Sequence, residues 1–454
     1  MRNSPSFRGI TIAQRDQHDP HCSSIRSDDS EIIPKSGSWF LAPRANGRGG
    51  ESRFSSSTIE PAMNALVVHA SQVLTPHEAI PDGVVVVEDG KITAVGHRDE
   101  IEIPAGADDC VATGMTVAPG FVDVHIHGAG GHDVMEGTPE ALRLIAETVA
   151  RFGTTSIVAT TVTASPEETI RSLAAIANYI HNGQALVGPR AIPAAEILGI
   201  HLEGPFISKL RRGVHPEDQI AAPSLELFRR FLDAADGSAR MLTVAPELEG
   251  GLELIAAATA AGLVAGLGHT DATYEQARAA IDRGARHAVH VFNAMRPFSH
   301  RDPGVLGAVL TDPNVTAEII ADGVHVANPA MQVLLAAKSN GTVIAVSDGT
   351  AATGRADGRY RLGNFEVEVV GGVVRNSEGK LAGSTLTLDR ALRNLVAIGV
   401  PLIEAVRMAT LYPARRLGLA GKKGTLAPGA DADLVVLTPD LRIAGVLTRG
   451  VGLE

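Results

Sequence analysis

The stretch Phe121-Val-Asp-Val-His-Ile-His-Gly128 is a short apolar run that ends in two histidines one residue apart. In an extended strand, residues i and i+2 point to the same face, so His125 and His127 present both imidazoles to one point. A single divalent cation could take both. Ala118-Pro119-Gly120 ahead of the run is a turn signal, and the glycine-rich residues 128–131 behind it suit the open end of a strand. Taken alone, the pair is equally compatible with two incidental histidines on a solvated strand. The rest of the chain decides between these readings.

From Phe121 onward, apolar strand-like runs alternate with amphipathic helical patterns, which is the signature of a parallel sheet with crossover helices. The runs are 121–127, 155–163, 197–203, 241–247, 263–269, 287–293, 316–322 and 342–348. Between them lie helical stretches at 138–151, 165–181, 224–235 and 274–283, the first two opening with Thr-Pro or Ser-Pro pairs suited to an N-cap and first helical position. Eight strand–helix repeats predict an α/β fold of the (β/α)₈ TIM-barrel type. The polar residues His125, His127, Glu203, Glu247, His269, His290, Asn293, Asp322 and Asp348 fall at or near the C-terminal ends of these runs. Catalytic side chains of such a barrel converge on that face.

The flanks have a different texture. Residues 1–62 are rich in Ser, Arg, Asp and Gly without a sustained period and read as a disordered extension, or as a start placed ahead of Met63. Short strand patterns occupy 63–117, with Asp89-Gly90 as a hairpin turn, and strands return in 422–454 around Asp433-Leu-Val-Val-Leu437. The expectation is a small β-sandwich domain built from both ends of the chain, enclosing a barrel at 118–421. Within the barrel segment, 360–380 reads as an inserted hairpin turning at Gly371-Gly372, and 384–398 and 402–417 read as helices.

Composition narrows the function. The chain has 454 residues, 44% hydrophobic and 20% charged, which is ordinary for a soluble globular protein with a large core. A net charge of −11 argues against a nucleic-acid or anionic-membrane partner, and no apolar run approaches the length of a membrane span. The two cysteines, Cys22 and Cys110, lie far apart, so a disulfide framework is not expected and a reducing, cytoplasmic setting is.

His125, His127, Glu203, His269 and His290 are nitrogen and oxygen donors suited to Zn²⁺ or Fe²⁺. Five donors exceed one tetrahedral site with an open position, and two ions bridged by Glu203 would use them all. Asp348 could act beside metal-bound water as general base and then general acid. His287 reads as a surface or barrel-wall residue. Lys209, Arg211 and Arg212 read as a solvated basic face. His215 lies near them, and His300-Arg301 forms a second basic pair on the same face; together they suggest an anionic substrate.

The chain resembles the amidohydrolase superfamily and, within it, the N-acetylglucosamine-6-phosphate deacetylase family. The resemblance rests on Pro119-Gly-Phe-Val-Asp-Val-His-Ile-His-Gly128, Gly199-Ile-His-Leu-Glu-Gly-Pro-Phe206, Gly268-His-Thr-Asp-Ala-Thr-Tyr274, His290-Val-Phe-Asn-Ala-Met295, Ala321-Asp-Gly-Val-His325, Ser347-Asp348, Leu381-Ala-Gly-Ser384 and Pro428-Gly-Ala-Asp-Ala-Asp-Leu434. It implies hydrolysis of the acetamide of a sugar phosphate, a metal held principally by Glu203, His269 and His290, and Asp348 as the catalytic acid/base. It further implies that Val214, His215, Asn293, Ala294, Arg301, His325, Leu381, Ala382 and Gly383 line the substrate site, and that the protein is a homodimer. Family members that lack the first histidine pair work with one ion; this chain keeps His125 and His127, so one or two ions are expected. The rivals are the N-acetylgalactosamine 6-phosphate reaction, another small amide, and a non-catalytic scaffold, whose sign would be missing ligands.

Overall fold

The structure, a computed structural model, describes residues 65–184, 192–338 and 341–453; the extension expected at 1–62 lies outside the described residues. Eight parallel strands, Phe121–Ile126, Thr154–Thr160, Glu196–Glu203, Ala239–Val244, Val264–Leu267, His287–Ala288, Thr316–Ile320 and Val343–Val346, pair in chain order. The ring closes between the first and last strands. A parallel bridge joins Ile126 to Gly349, Asp348 N–H donates to the His125 carbonyl at 2.9 Å, and His127 N–H donates to the Gly349 carbonyl at 2.7 Å. Closure therefore sets Asp348 beside the two histidines of the first strand.

The crossover helices form where local chemistry favours them. Thr138 caps Pro139–Ala150 through its side chain, which accepts from Ala141 N–H, and Ser165 and Glu168 make a reciprocal capping box on Pro166–Asn182. Leu142, Ile145, Leu173 and Ile176 on these helices join the barrel strands in one large core. All six residues of the first strand are buried, as expected where helices cover one face and the barrel interior the other. That interior is unusually polar. Asp123, His125, Thr160, His201, Thr243, His287, Glu318 and Ser347 are all buried there, whereas such barrels are ordinarily filled by branched apolar side chains.

Several strands end earlier than their sequence pattern predicts, at Thr160, Val244, Leu267, Ala288, Ile320 and Val346. For the strands that end at Leu267, Ala288 and Val346 the cause is visible in the backbone: His269, His290, Phe292, Ala294 and Asp348 have φ of 47°, 29°, 80°, 49° and 51°, which no strand accommodates.

The small domain is a seven-stranded sheet ordered Val451–Gly452, Ile443–Thr448, Leu434–Leu437, Asp108–Pro119, Leu66–Leu74, Ala79–Glu88, Lys91–His97. Leu434 pairs with Pro119 and Val436 with Val117, so both ends of the chain meet as expected. Asp89 and Gly90 turn the hairpin with φ of 49° and 71°, both left-handed as a type I′ turn demands. Alternation divides the valines: Val68, Val85 and Val87 serve one apolar cluster, and Val67, Val84 and Val86 another. At the junction to the barrel, Lys423 is buried with its ammonium among Glu196, Asp431 and Asp433, the last two at 2.9 and 2.8 Å.

The expected insertion is a three-stranded antiparallel sheet, Gly358–Leu362, Phe365–Val370 and Val373–Asn376. Its Leu362, Val367, Val369 and Val374 pack on Val162, Ala352 and Ala382, with Val214 at the edge. The helix expected at 402–417 is divided into Leu402–Ala409 and Leu411–Arg416, with Thr410 at φ −135°. Pro413 has no N–H to continue the first helix, so the chain restarts.

Candidate metal centre at the mouth of the barrel

Glu203 ends the third strand with 2% of its surface exposed, and five histidines face its carboxylate. Oε1 lies 3.0 Å from His290 Nε2, 3.3 Å from His269 Nε2 and 3.4 Å from His125 Nε2. Oε2 lies 3.4 Å from His127 Nε2 and 3.5 Å from His215 Nε2. Asp348 Oδ1 approaches His127 Nε2 at 3.2 Å and His125 Nε2 at 3.6 Å. Three strand ends and the closing seam thus deliver their side chains to one buried point.

Hydrogen bonds behind the rings fix which nitrogen faces inward. His127 Nδ1–H donates to the Thr160 carbonyl at 3.1 Å, His269 Nδ1–H to the Arg211 carbonyl at 2.9 Å, and His125 Nδ1–H to Glu318 at 2.9 Å. Each leaves its Nε2 lone pair pointing at the centre, the arrangement that orients a metal-ligating histidine. Among the described residues, His125 Nε2 is buried without a hydrogen-bond partner, and His290 Nε2 sits 3.1 Å from His269 Nε2. Two lone pairs at that distance require a proton or a cation between them. The donor set, imidazole and carboxylate without thiolate, suits a divalent ion of the zinc or iron type. Two neighbouring donor groups, His125–Glu203–His290 and His125–His127–Asp348, each bring their ligand atoms within 4.8 Å of one another.

His215 differs from the other four. Its Nδ1 accepts the Thr163 backbone N–H at 3.3 Å, so the proton of the neutral ring is on Nε2, facing Glu203. Burial, with the neighbouring His269 adding to it, pushes its pKa down to about 4. It is therefore a neutral donor here, although it falls geometrically in a cluster with Glu203 and His269.

Without a cation, the centre holds protons. Burial opposes a charged His127, but hydrogen bonds to Asp348 and Glu203 outweigh it and raise the pKa to about 9. His125 and His290 are raised against the same burial penalty, by Glu203 and, for His125, also by Glu318. Glu203 stays well below the usual carboxylate range because the surrounding histidines overcome its burial. Asp348 is buried, at 8% exposure, and it remains ionised because its hydrogen bond to His127 and the nearby imidazoles outweigh desolvation.

The backbone at the centre is strained. His269, His290 and Asp348 all sit in the left-handed region that non-glycine residues rarely adopt, a feature concentrated at functional sites. Gly383 lies against Asp348; a Cβ there would stand 2.9 Å from the Asp348 carbonyl oxygen and 2.6 Å from Thr350 Cγ2, at φ 61°.

The remaining expected substrate residues are placed less uniformly. His325 Nδ1 pairs with Asp322 Oδ2 at 2.7 Å, and Asp322 Oδ1 accepts the Val324 and His325 N–H groups, locking the loop after the seventh strand. Asn293 Nδ2 donates to the His290 carbonyl at 3.2 Å, and the Ala294 carbonyl accepts Thr270 N–H. Val214 and Ala382 belong to the apolar cluster beneath the inserted sheet, and Leu381 bridges to Arg375. Arg301 is exposed, and among the described residues its guanidinium has no partner. It is available for an anion, but no contact joins it to the centre.

Of the two readings of His287, the barrel one holds and the surface one does not: it is fully buried in the sixth strand, with Nε2 2.7 Å from Glu318 and Nδ1 2.6 Å from Thr316. Arg211 and Arg212 are not a solvated face either. Arg211 pairs with Asp271 at 2.7 Å and offers its carbonyl to His269, while Arg212 donates to the His215 carbonyl at 2.9 Å. Both hold the loop that carries His215. Sequence reasoning missed Glu318 as well. The available signal was one acid inside the apolar strand Thr316-Ala-Glu-Ile-Ile320.

A barrel closed by strands that carry H-x-H, a buried glutamate, two further histidines and a terminal aspartate defines a class. The chain belongs to the amidohydrolase family, whose pattern matches residues 116–451. Within that family the similarity is to sugar-phosphate deacetylases. N-acetylglucosamine-6-phosphate deacetylase of Vibrio furnissii is 37% identical over 398 residues, spanning 86% of this chain and 96% of that protein. N-acetylgalactosamine-6-phosphate deacetylase of Escherichia coli O157:H7 is 36% identical over 385 residues, spanning 85% and 98%. A solved structure of a Mycobacterium smegmatis N-acetyl-D-glucosamine-6-phosphate deacetylase variant, in complex with N-acetyl-D-glucosamine-6-phosphate, is 40% identical with a TM-score of 0.79, covering 86% of this chain and 99% of that one.

Proposed function

We propose that this protein hydrolyses the acetamide of N-acetylglucosamine 6-phosphate, yielding acetate and glucosamine 6-phosphate, with one or two divalent ions held by Glu203, His269, His290, His125 and His127. The observation that carries this reading is the ring of inward-facing imidazole lone pairs around Glu203 with the ionised Asp348 on its edge. Such an ion, when bound, supplies Lewis acidity that acidifies water and polarises a carbonyl oxygen. Asp348 accepts the proton of the attacking water and then returns it to the departing sugar amine, so atoms and charge balance over the cycle. His215, neutral with its proton on Nε2, offers a hydrogen bond toward the same centre. His325, held by Asp322, is assigned to the oxyanion that develops on the acetyl carbonyl. Arg301, whose guanidinium has no partner among the described residues, is assigned to the 6-phosphate, with Asn293, Ala294, Val214 and the 381–383 segment completing the sugar site.

Zinc and iron are the ions the donors favour. A cytoplasmic homodimer is the setting that the resemblance and the two distant cysteines support. We assign the small domain to 63–117 and 422–454 and the barrel to 118–421. The Escherichia coli relative, at almost the same identity, favours N-acetylgalactosamine 6-phosphate as the second reading. Acetate release from both N-acetylhexosamine 6-phosphates and from their unphosphorylated forms tests all of this together. Turnover fastest on the phosphorylated gluco compound supports the assignment; fastest turnover on the galacto epimer selects the second reading, and no acetate from any of them removes both.

A further inference from the structure

Beneath the metal centre lies a second buried carboxylate that the reaction itself does not use. Glu318 stands in the seventh strand, fully buried inside the barrel. Its Oε2 accepts two hydrogen bonds at 2.9 Å, one from His125 Nδ1–H and one from the backbone N–H of His290. Its Oε1 accepts from His287 Nε2–H at 2.7 Å, and His287 Nδ1 in turn takes the Thr316 hydroxyl proton at 2.6 Å. The carboxylate is thus engaged by three donors from two other strands and the turn that follows one of them.

The two residues on Oε2 are not equivalent. His125 belongs to the first strand and to both donor groups; His290 sits after the sixth strand, at φ 29°, in the group with Glu203. Behind the His290 ring nothing among the described residues takes its buried Nδ1. Its orientation comes from the Glu203 contact at Nε2 and from the strained backbone, which Glu318 holds at its N–H. The same oxygen fixes the tautomer and tilt of His125. We propose that Glu318 is a positioning residue that sets His125 and His290 in register with Glu203, so that one carboxylate beneath the centre orients ligands of both metal positions. This rests on the metal-site reading above and not on the identity of the sugar.

Glu318→Gln has the same shape but no charge and a single acceptor oxygen, so it weakens the hold on His125 Nδ1–H and the His290 N–H even where His287 changes tautomer to meet the new N–H₂. Glu318→Ala serves none. Thr316→Val is the control: it breaks the same buried network at its far end without touching His125 or His290. The measurement is competition of metal-free protein with a chromophoric chelator for Zn²⁺, with the visible spectrum of the Co²⁺-loaded protein as a second readout. Ligand-orienting partners typically contribute about 10–100-fold in metal affinity. Glu318→Gln should therefore weaken binding by about tenfold or more and alter the Co²⁺ spectrum, with a larger loss in Glu318→Ala. Thr316→Val should lower the melting temperature yet keep the wild-type affinity and spectrum. Wild-type affinity and spectrum in Glu318→Gln would overturn the proposal, as would an equal loss in Thr316→Val. If Glu318→Ala does not fold, the isosteric Gln variant decides. Failure of the wild-type protein itself to bind metal would instead remove the functional reading, which keeps the two failures apart.

Discussion

The molecule buries charge in two places, and the two are built as opposites. At the domain junction one ammonium, Lys423, sits among three carboxylates from Glu196, Asp431 and Asp433. At the barrel mouth one carboxylate, Glu203, sits among five histidines. The first cluster is complete within the protein: each acid meets the lysine directly, and Lys91 adds a second cation to Asp431. In the second, His290 Nε2 and His269 Nε2 face one another at 3.1 Å and, among the described residues, His125 Nε2 has no hydrogen-bond partner. A buried charge group that is satisfied holds a fold together, whereas one left open to lone pairs needs a cation from outside.

The largest separation between the two clusters comes from substituting one residue in each. Asp348→Asn retains a side chain of the same shape but cannot take up and return a proton. Its kcat should fall by about 10²- to 10⁴-fold, with metal content and melting temperature near wild type. Near-normal turnover in the metal-replete variant would move the proton transfer elsewhere, with His325 the first to test. Lys423→Met does the reverse. It strands buried carboxylates and should cost about 3–5 kcal/mol of stability, read by denaturant or thermal unfolding, while the folded fraction keeps its metal affinity. Loss of metal binding at unchanged stability would show that the two clusters are not independent.

The next effect is on specificity. Arg301→Ala should lose about 1.5–3 kcal/mol of selectivity for phosphorylated over unphosphorylated substrate, the scale of a hydrogen bond to a charged group. Equal losses in kcat/KM on both substrates would mean that Arg301 acts on the loop and not on the phosphate.

A subtler contrast is in pH. His127 is raised to about 9 in the metal-free protein, above its unfolded value near 6.5. Its protonation therefore stabilises the metal-free fold fully below that unfolded value, and the contribution fades as pH rises through about 9. Metal binding needs the neutral ring, so it must release protons at neutral pH, and metal affinity should rise with pH up to that region. Calorimetry in buffers of different ionisation enthalpy reads the proton count directly. No proton release at pH 7 would show that the cluster is not protonated as described. The smallest expected effect is from truncation to Met63: without core-forming periodicity in residues 1–62, melting temperature and turnover should not change.

Much of this contrast could be read from the sequence, and the parts that could not have specific causes. The cluster around Glu203 was legible because H-x-H, Glu203, His269 and His290 stand at the ends of apolar runs, where a barrel gathers them. Pairing of the two chain ends was legible from strand patterns on both sides of the barrel. Glu318 was not, because its partner His125 is 193 residues away in the chain and a lone acid in a strand carries no spacing signal. Arg211 acts on His269 through its carbonyl, which every residue type possesses, so its side chain pointed to the wrong role. The early strand ends at His269, His290 and Asp348 were hidden for a related reason. Left-handed backbone is announced by glycine, and these positions are occupied by candidate site residues held there by their surroundings.

The central claim is that the Glu203 cluster is a metal centre, and counting bound metal per chain tests it most directly. After chelation and reloading with Zn²⁺, elemental analysis of the wild-type protein should find at least one tightly held equivalent and room for a second. His125→Ala should lose the second, and Glu203→Gln, which removes the carboxylate common to the ring, should lose both. A wild-type protein that retains no metal, or a Glu203→Gln variant that retains as much as wild type, would contradict the account.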